Sequence, residues 1–97
     1  MNAMNLHGLS EYYANSAQVS QDCNDYLIAA WLEENAVDAL VKYHPVPIRT
    51  LGIFAVSAAV MYLKSGRSQY SRNLALAYLG MPNIPEFAKT ALLELVN

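Results

Sequence analysis

The sequence predicts an all-α fold of five or six short helices, stacked as antiparallel hairpins. Three observations predict it. Apolar residues recur at spacings of three and four along most of the 97-residue chain, which is the period of a helix with one buried face. Glycine and proline pairs divide these stretches into segments of 8 to 18 residues, as helix ends do. No segment keeps the two-residue alternation of a half-buried strand.

The N-terminal part of the chain predicts one short helix. Residues 1–8 carry no periodic pattern and are expected to be frayed, which leaves residues 9–97 as a single helical domain. The first helix is expected from about Leu9 to Val19. Its apolar side chains Leu9, Tyr12 and Tyr13 recur at helical spacing and should share one face.

Two further helices are expected before the first proline. Asp22 suits the N-cap of a helix from about Cys23 to Glu34. Trp31 is the expected core anchor of this helix, and the adjacent Glu33 and Glu34 should face water. Asn35 is expected to interrupt the chain before a short helix from Ala36 to Tyr43.

Prolines and glycines bound the three remaining helices. Pro45 and Pro47 favour an extended link, because proline disfavours helical geometry in the residue before it. A helix from about Ile48 should end at Ser65 and Gly66, and its apolar residues surround nearly its whole circumference. A helix from Ser68 to Leu79 and a last helix from Pro85 to Val96 complete the chain.

Composition predicts a protein that binds another protein. Apolar residues make up 55% of the chain and charged residues only 14%, against roughly 25% charged residues in ordinary domains. Apolar surface should therefore remain for a partner to cover. A net charge of −2 with scattered basic residues argues against nucleic-acid binding, and the longest uncharged apolar stretch, Leu51 to Leu63, is too short to span a membrane.

The residue types of catalysis are sparse, so the chain is predicted not to be an enzyme. His7, His44 and Cys23 are too few and too dispersed for a metal site or a catalytic pair, and isolated glycines form no phosphate-binding loop. No cofactor is expected. A single cysteine cannot form an internal disulfide, which favours a cytoplasmic location.

Two stretches of the chain repeat a pattern at an offset of 31 residues. Residues 30–36 and 61–67 each end one helix with an aromatic residue and a leucine, then enter a polar turn before the next apolar-striped helix. Small residues follow Gly66 where helices would touch, at Ala75 and Ala77. This period is close to that of tetratricopeptide repeats, so the hairpin stack is predicted to be tetratricopeptide-like.

The chain resembles the small tetratricopeptide-like chaperones that hold the needle subunit of bacterial type III secretion systems. An alanine-rich segment ending in a Trp-Leu pair carries the resemblance, here residues 26–33 (YLIAAWLE). Residues 54–66 and 86–88 resemble the late hairpin and the C-terminal helix of that family. The resemblance covers residues 22–96, and this chain departs from the family in its middle hairpin, which is shortened to Ala36–Tyr43.

The resemblance implies a cytoplasmic chaperone that binds the amphipathic C-terminal helix of a needle subunit in an apolar groove. It also implies a second, very small helical chaperone as a further partner. Recognition of a helix in a groove uses aromatic and flexible apolar side chains. The candidate partner-binding residues are Tyr12, Tyr13, Phe54, Met61 and Tyr62.

Two other functions stay open at this stage. The apolar face of residues 51–63 could form a homodimeric helical bundle with a structural role. The chain could also be a small inhibitor of a host enzyme with an acidic face, because six of its eight acidic residues lie in the N-terminal half. These six are Glu11, Asp22, Asp25, Glu33, Glu34 and Asp38.

Overall fold

The described residues, which are 2–20, 22–43 and 45–97 of a computed structural model, form five α-helices and no strand. The predicted all-α class and the tetratricopeptide-like stacking of antiparallel hairpins are confirmed. Expectations that concern Met1 and His44 lie outside these residues. The helices are α1 (Ala3–Ser20), α2 (Cys23–Leu40), α3 (Ile48–Lys64), α4 (Ser68–Leu79) and α5 (Glu86–Val96).

The helices form two layers. Each helix packs against the next along the chain, and α3 also packs against α5. Side chains of α1 contact α3, and a tyrosine of α4 contacts α2. The layer of α1, α3 and α5 therefore covers the layer of α2 and α4. The shortest dimension of the molecule is 17 Å. This thickness agrees with two layers whose helix axes lie roughly 8–10 Å apart.

The first helix is longer than the sequence predicts. It begins at Ala3, which belongs to the core and is only 2% exposed, so the expected fraying does not extend over residues 3–8. The Asn2 side chain accepts a hydrogen bond from the backbone N–H of Asn5 at 2.9 Å, which satisfies a donor of the first turn. The buried face of α1 consists of small and polar residues, so its helical period is hard to see in the sequence.

The second helix is continuous where two helices were expected. Asp22 is its N-cap, as predicted, and accepts from the backbone N–H of Asn24 at 2.9 Å. Asn35 lies within the helix and donates its side-chain N–H to the Trp31 carbonyl at 2.8 Å. Asparagine costs a helix only a few tenths of a kcal/mol more than average residues, and burial of Val37 and Leu40 in the core outweighs that cost.

The third helix ends in the predicted glycine cap. Gly66 has a φ of +85°, a conformation that other residues adopt only at a cost. Its N–H donates to the Leu63 carbonyl, and the Arg67 N–H donates to the Tyr62 carbonyl, both at 3.0 Å. These two bonds form a Schellman motif, which turns the chain directly into α4.

Small residues on α3 allow close packing around it. Ala55, Ala58 and Ala59 are fully buried and face the neighbouring helices. On another side, a β-carbon added at Gly52 would lie 2.5 Å from Pro85 Cγ and 2.9 Å from Phe87 Cζ. The absence of a side chain at Gly52 therefore lets the start of α5 contact the backbone of α3.

The substitution Gly52→Ala is expected to lower the free energy of unfolding by about 1–3 kcal/mol, because the start of α5 must move. Gly8→Ala is the matched control, since Gly8 also lies in a helix and has no atom within 4 Å of the added carbon. That control should raise stability by roughly 0.5–1 kcal/mol through helix propensity. Urea denaturation measures both changes, and a stabilising Gly52→Ala substitution would contradict this packing.

Candidate partner-binding face

An exposed apolar stripe follows α3 on the side opposite its buried alanines. Ile53, Val56, Val60 and Leu63 are spaced by three, four and three residues, so they lie on one side of the helix. Ile53 and Leu63 are exposed and the two valines are half-buried. We call these four residues the α3 stripe. It has the spacing with which one helix packs against another.

Neighbouring helices flank the α3 stripe. On one side, His7 of α1 stacks on Phe54, with ring centroids 4.3 Å apart. On the other side, the half-exposed ring of Phe87 at the start of α5 lies against Gly52. Because α1 and α5 pack on opposite sides of α3, the stripe runs between them.

A cleft opens between α1 and α3 beside the stripe. Its apolar side chains include Val56, Val60 and Met61, and its polar rim carries amide side chains of α1. Lys64 is the charged side chain that lines it, and the Lys64 Nζ lies 5.6 Å from the centre of the Tyr26 ring. No carboxylate lines the cleft. We call it the α1–α3 cleft; it is lined by Ala14, Asn15, Gln18, Tyr26, Val56, Ser57, Val60, Met61 and Lys64.

Of the five residues predicted to bind a partner, the structure places only Met61 in this cleft. Tyr12 is 68% exposed and packs edge-on against the half-buried Tyr13, away from the cleft lining. Phe54 and Tyr62 are only 3% and 4% exposed. Both point into the core because they lie on the side of α3 away from the stripe, so neither side chain is open to a partner in this structure.

A carboxylate of α2 is buried beneath α1, where it contacts a histidine. Glu33 of α2 is fully buried, and its Oε1 contacts His7 Nδ1 of α1. The other ring nitrogen of His7 contacts the Glu11 carboxylate at 2.9 Å. The expectation that Glu33 faces water is therefore wrong. Burial raises the pKa of Glu33, and the contact with His7 opposes this rise.

The contact between His7 and Glu33 joins two helices through ring and carboxyl atoms that can hydrogen-bond in two ways. If Nε2 of His7 donates to Glu11, then Nδ1 either donates to an ionised Glu33 or accepts from a protonated one. In both states one proton lies between Nδ1 and Oε1. Ser10 lies beside this pair and donates its hydroxyl to the Ala29 carbonyl at 2.8 Å, so this bond and the His7–Glu33 contact both hold α1 against α2.

Fewer acidic side chains are freely exposed on the surface than the sequence suggests. Glu33 is buried, and Glu34 accepts hydrogen bonds from the hydroxyls of Tyr62 at 2.5 Å and Tyr70 at 2.8 Å. Of the six acidic residues counted in the N-terminal half, Glu33 is thus buried, and the half-buried Glu34 is hydrogen-bonded to two tyrosines. This weakens the hypothesis of an inhibitor that presents an acidic face.

The described residues include no group of three or more His, Cys, Asp or Glu side chains that could hold a metal ion. Cys23 is exposed and forms no disulfide. Among the same residues, no helix is both long enough and apolar enough to cross a membrane.

The residues that form the α3 stripe were not singled out by the sequence, in which α3 is apolar nearly all round. The signal that identifies them is the position of the small residues. Alanines spaced by three and four residues mark the side where helices pack closely, so the β-branched residues opposite them lie outside. Comparisons of the chain with protein-family models, curated proteins and solved structures gave no match.

Proposed function

We propose that this protein is a cytoplasmic chaperone or adaptor that covers the apolar side of an amphipathic helix in a partner protein. The α3 stripe is the observation that carries the proposal: four apolar residues at helix-packing spacing lie exposed or half-buried between two flanking helices. The resemblance of residues 22–96 to needle-subunit chaperones supports a needle subunit of a type III secretion system as the partner.

The residues that line the α1–α3 cleft indicate which side chains a bound partner helix would carry. Valines and Met61 provide apolar contact, and methionine adapts its shape to a partner side chain. The amides of Asn15 and Gln18 can hydrogen-bond to polar flanks of the partner helix. Lys64, at the end of α3, favours a carboxylate of the partner at that end of the cleft.

A second partner would use the outer side of α1. Tyr12 and Val19 lie two helical turns apart, and both are more than two-thirds exposed. Such side chains favour a contact with another protein. The small second chaperone implied by the resemblance would bind here, which leaves the α3 stripe to the needle subunit.

The substitution Val60→Asp is expected to abolish co-purification of this protein with the needle subunit of its own organism. A carboxylate at position 60 would face the apolar side of the partner helix and lose its hydration there, which should weaken binding by about tenfold or more. Leu76→Asp is the matched control, because Leu76 is half-exposed on α4 in the other layer. Co-expression followed by affinity purification measures the effect.

Two results would contradict the proposal. The wild-type chain could fail to hold the needle subunit, or both substitutions could weaken the complex equally. Sedimentation of the isolated chain at several concentrations tests the homodimer alternative. A dimer that Val60→Asp dissociates would assign the α3 stripe to self-association instead.

A further inference from the structure

A second cleft lies between α2 and α4, in the layer that does not carry the α3 stripe. It combines aromatic rings with two carboxylates. We call it the α2–α4 cleft; it is lined by Leu27, Trp31, Glu34, Asn35, Asp38, Tyr62, Arg67 and Tyr70. Neither the fold nor the proposed function accounts for this combination.

The aromatic side chains of the cleft are available to a ligand. Trp31 is 58% exposed, although the sequence predicts it to be a core anchor. It points outward because α2 buries the opposite side, where Ala29, Ala30 and Val37 pack. Tyr70 is also exposed, and its ring lies 4.4 Å from that of the buried Tyr62. Tryptophan is the ring that attracts cations most strongly.

The carboxylates of the cleft carry negative charge without a cation bound to them. Glu34 and Asp38 lie one helical turn apart on α2, so they face the same direction. Neither forms a salt bridge with a described residue. Burial raises the pKa of Asp38, the charge of Glu34 raises it further, and the charge of Lys42 opposes this rise. This repulsion between the two carboxylates is relieved when a positive charge enters the cleft.

Arg67 lines the same cleft but forms no salt bridge with Glu34 or Asp38. Arg67 donates from Nη1 to the Ser65 carbonyl at 3.3 Å, which directs its guanidinium toward the turn after α3. Two tyrosine hydroxyls hold the Glu34 carboxylate in place, because both donate to it. A ligand would therefore meet one fixed carboxylate, one exposed carboxylate and an exposed indole ring.

We propose that the α2–α4 cleft binds an arginine side chain of a partner protein. A guanidinium is planar, so it can stack on the Trp31 ring while its N–H groups donate to the Glu34 and Asp38 carboxylates. An ammonium group is a compact, strongly hydrated charge and gains less from such a flat ring. The proposal does not depend on the function proposed for the α3 stripe.

The indole N–H of Trp31 is a direct probe of this cleft, because the chain contains one tryptophan. Titration of the ¹⁵N-labelled protein with N-acetyl-arginine amide should shift this signal saturably. N-acetyl-citrulline amide has nearly the same shape without the charge, and it should give no saturable shift. The substitution Asp38→Asn should weaken the binding of the arginine compound about fivefold.

Glu94→Gln is the matched control, because Glu94 is exposed on α5 and lies outside the cleft. It should leave the arginine titration unchanged. Equal shifts with the citrulline compound would overturn the proposal, as would arginine binding that Asp38→Asn does not alter, or no shift at all. Because no needle subunit is used, failure here leaves the proposal for the α3 stripe intact.

Discussion

Replacing His7 with alanine is expected to lower the free energy of unfolding by about 1–3 kcal/mol, which is the usual cost of leaving a buried polar group without its hydrogen-bond partner. The substitution leaves the fully buried Glu33 without its contact to His7 and opens a space above Phe54. Equilibrium unfolding in urea at pH 7, followed by circular dichroism, measures the loss.

The pH dependence of this loss separates charge from packing. Burial raises the pKa of Glu33 above 4.5, so the folded state favours the protonated carboxyl. The stability gained from that protonated form is fully present below pH 4.5 and is lost as pH rises through the raised pKa. Without His7 the buried carboxylate has less to stabilise its charge. We therefore expect a smaller penalty for His7→Ala at pH 4 than at pH 7.

A double variant provides the control for the buried pair. Replacing both His7 and Glu33 with leucine removes both charges and keeps apolar volume, so it should be markedly more stable than His7→Ala alone. If His7→Ala cost less than about 1 kcal/mol at both pH values, the pair would be no more important than an exposed one.

Raising the pH above 10 is expected to unfold the protein steeply. The pKa values of Tyr62 and Tyr78 are raised well above 10, mainly by burial, and in Tyr62 also by its hydrogen bond to Glu34. Stability that depends on these neutral hydroxyls is fully present below pH 10 and is lost above it. Each buried tyrosine should contribute a loss of about 1.4 kcal/mol per pH unit.

Tyr78→Phe tests this prediction without a large change in packing. The Tyr78 hydroxyl is buried and has no hydrogen-bond partner among the described residues, so its removal should cost little at pH 7. The variant should lose stability less steeply between pH 10 and 12, because Tyr62 and Tyr70 still titrate with raised pKa values. Urea denaturation across this range measures the slope, and identical slopes in the two proteins would contradict the prediction.

The sequence predicts the fold class well because proline and glycine residues mark the helix ends clearly. Pro47 precedes α3, Pro85 precedes α5, and Gly66 adopts the left-handed conformation that ends α3. These residues act through local backbone geometry, so no knowledge of distant contacts is needed. The number of helices is harder to predict. Asn35 disfavours a helix only weakly, and the residues before and after it are buried in the core, which keeps α2 continuous.

The orientation of the first two helices could not be read from the same sequence. The buried face of α1 contains Ala3, Ser10 and Ala17, whereas its larger apolar residues Leu9 and Tyr12 are exposed. A search for large apolar residues therefore identifies the wrong side of the helix. Small side chains allow α1 and α2 to approach closely, and the contact of Glu33 with His7 depends on a pairing of helices that local spacing does not reveal.

Site-specific photo-crosslinking tests the central claim most directly, by placing benzoylphenylalanine at position 60 or 76 in living cells. We expect position 60 to crosslink to the needle subunit, and peptide mapping to locate the link in its amphipathic C-terminal helix. Position 76, on the other layer, should give no such product. Crosslinks to the needle subunit from both positions, or from position 60 to a second copy of this chain alone, would contradict the assignment of the α3 stripe.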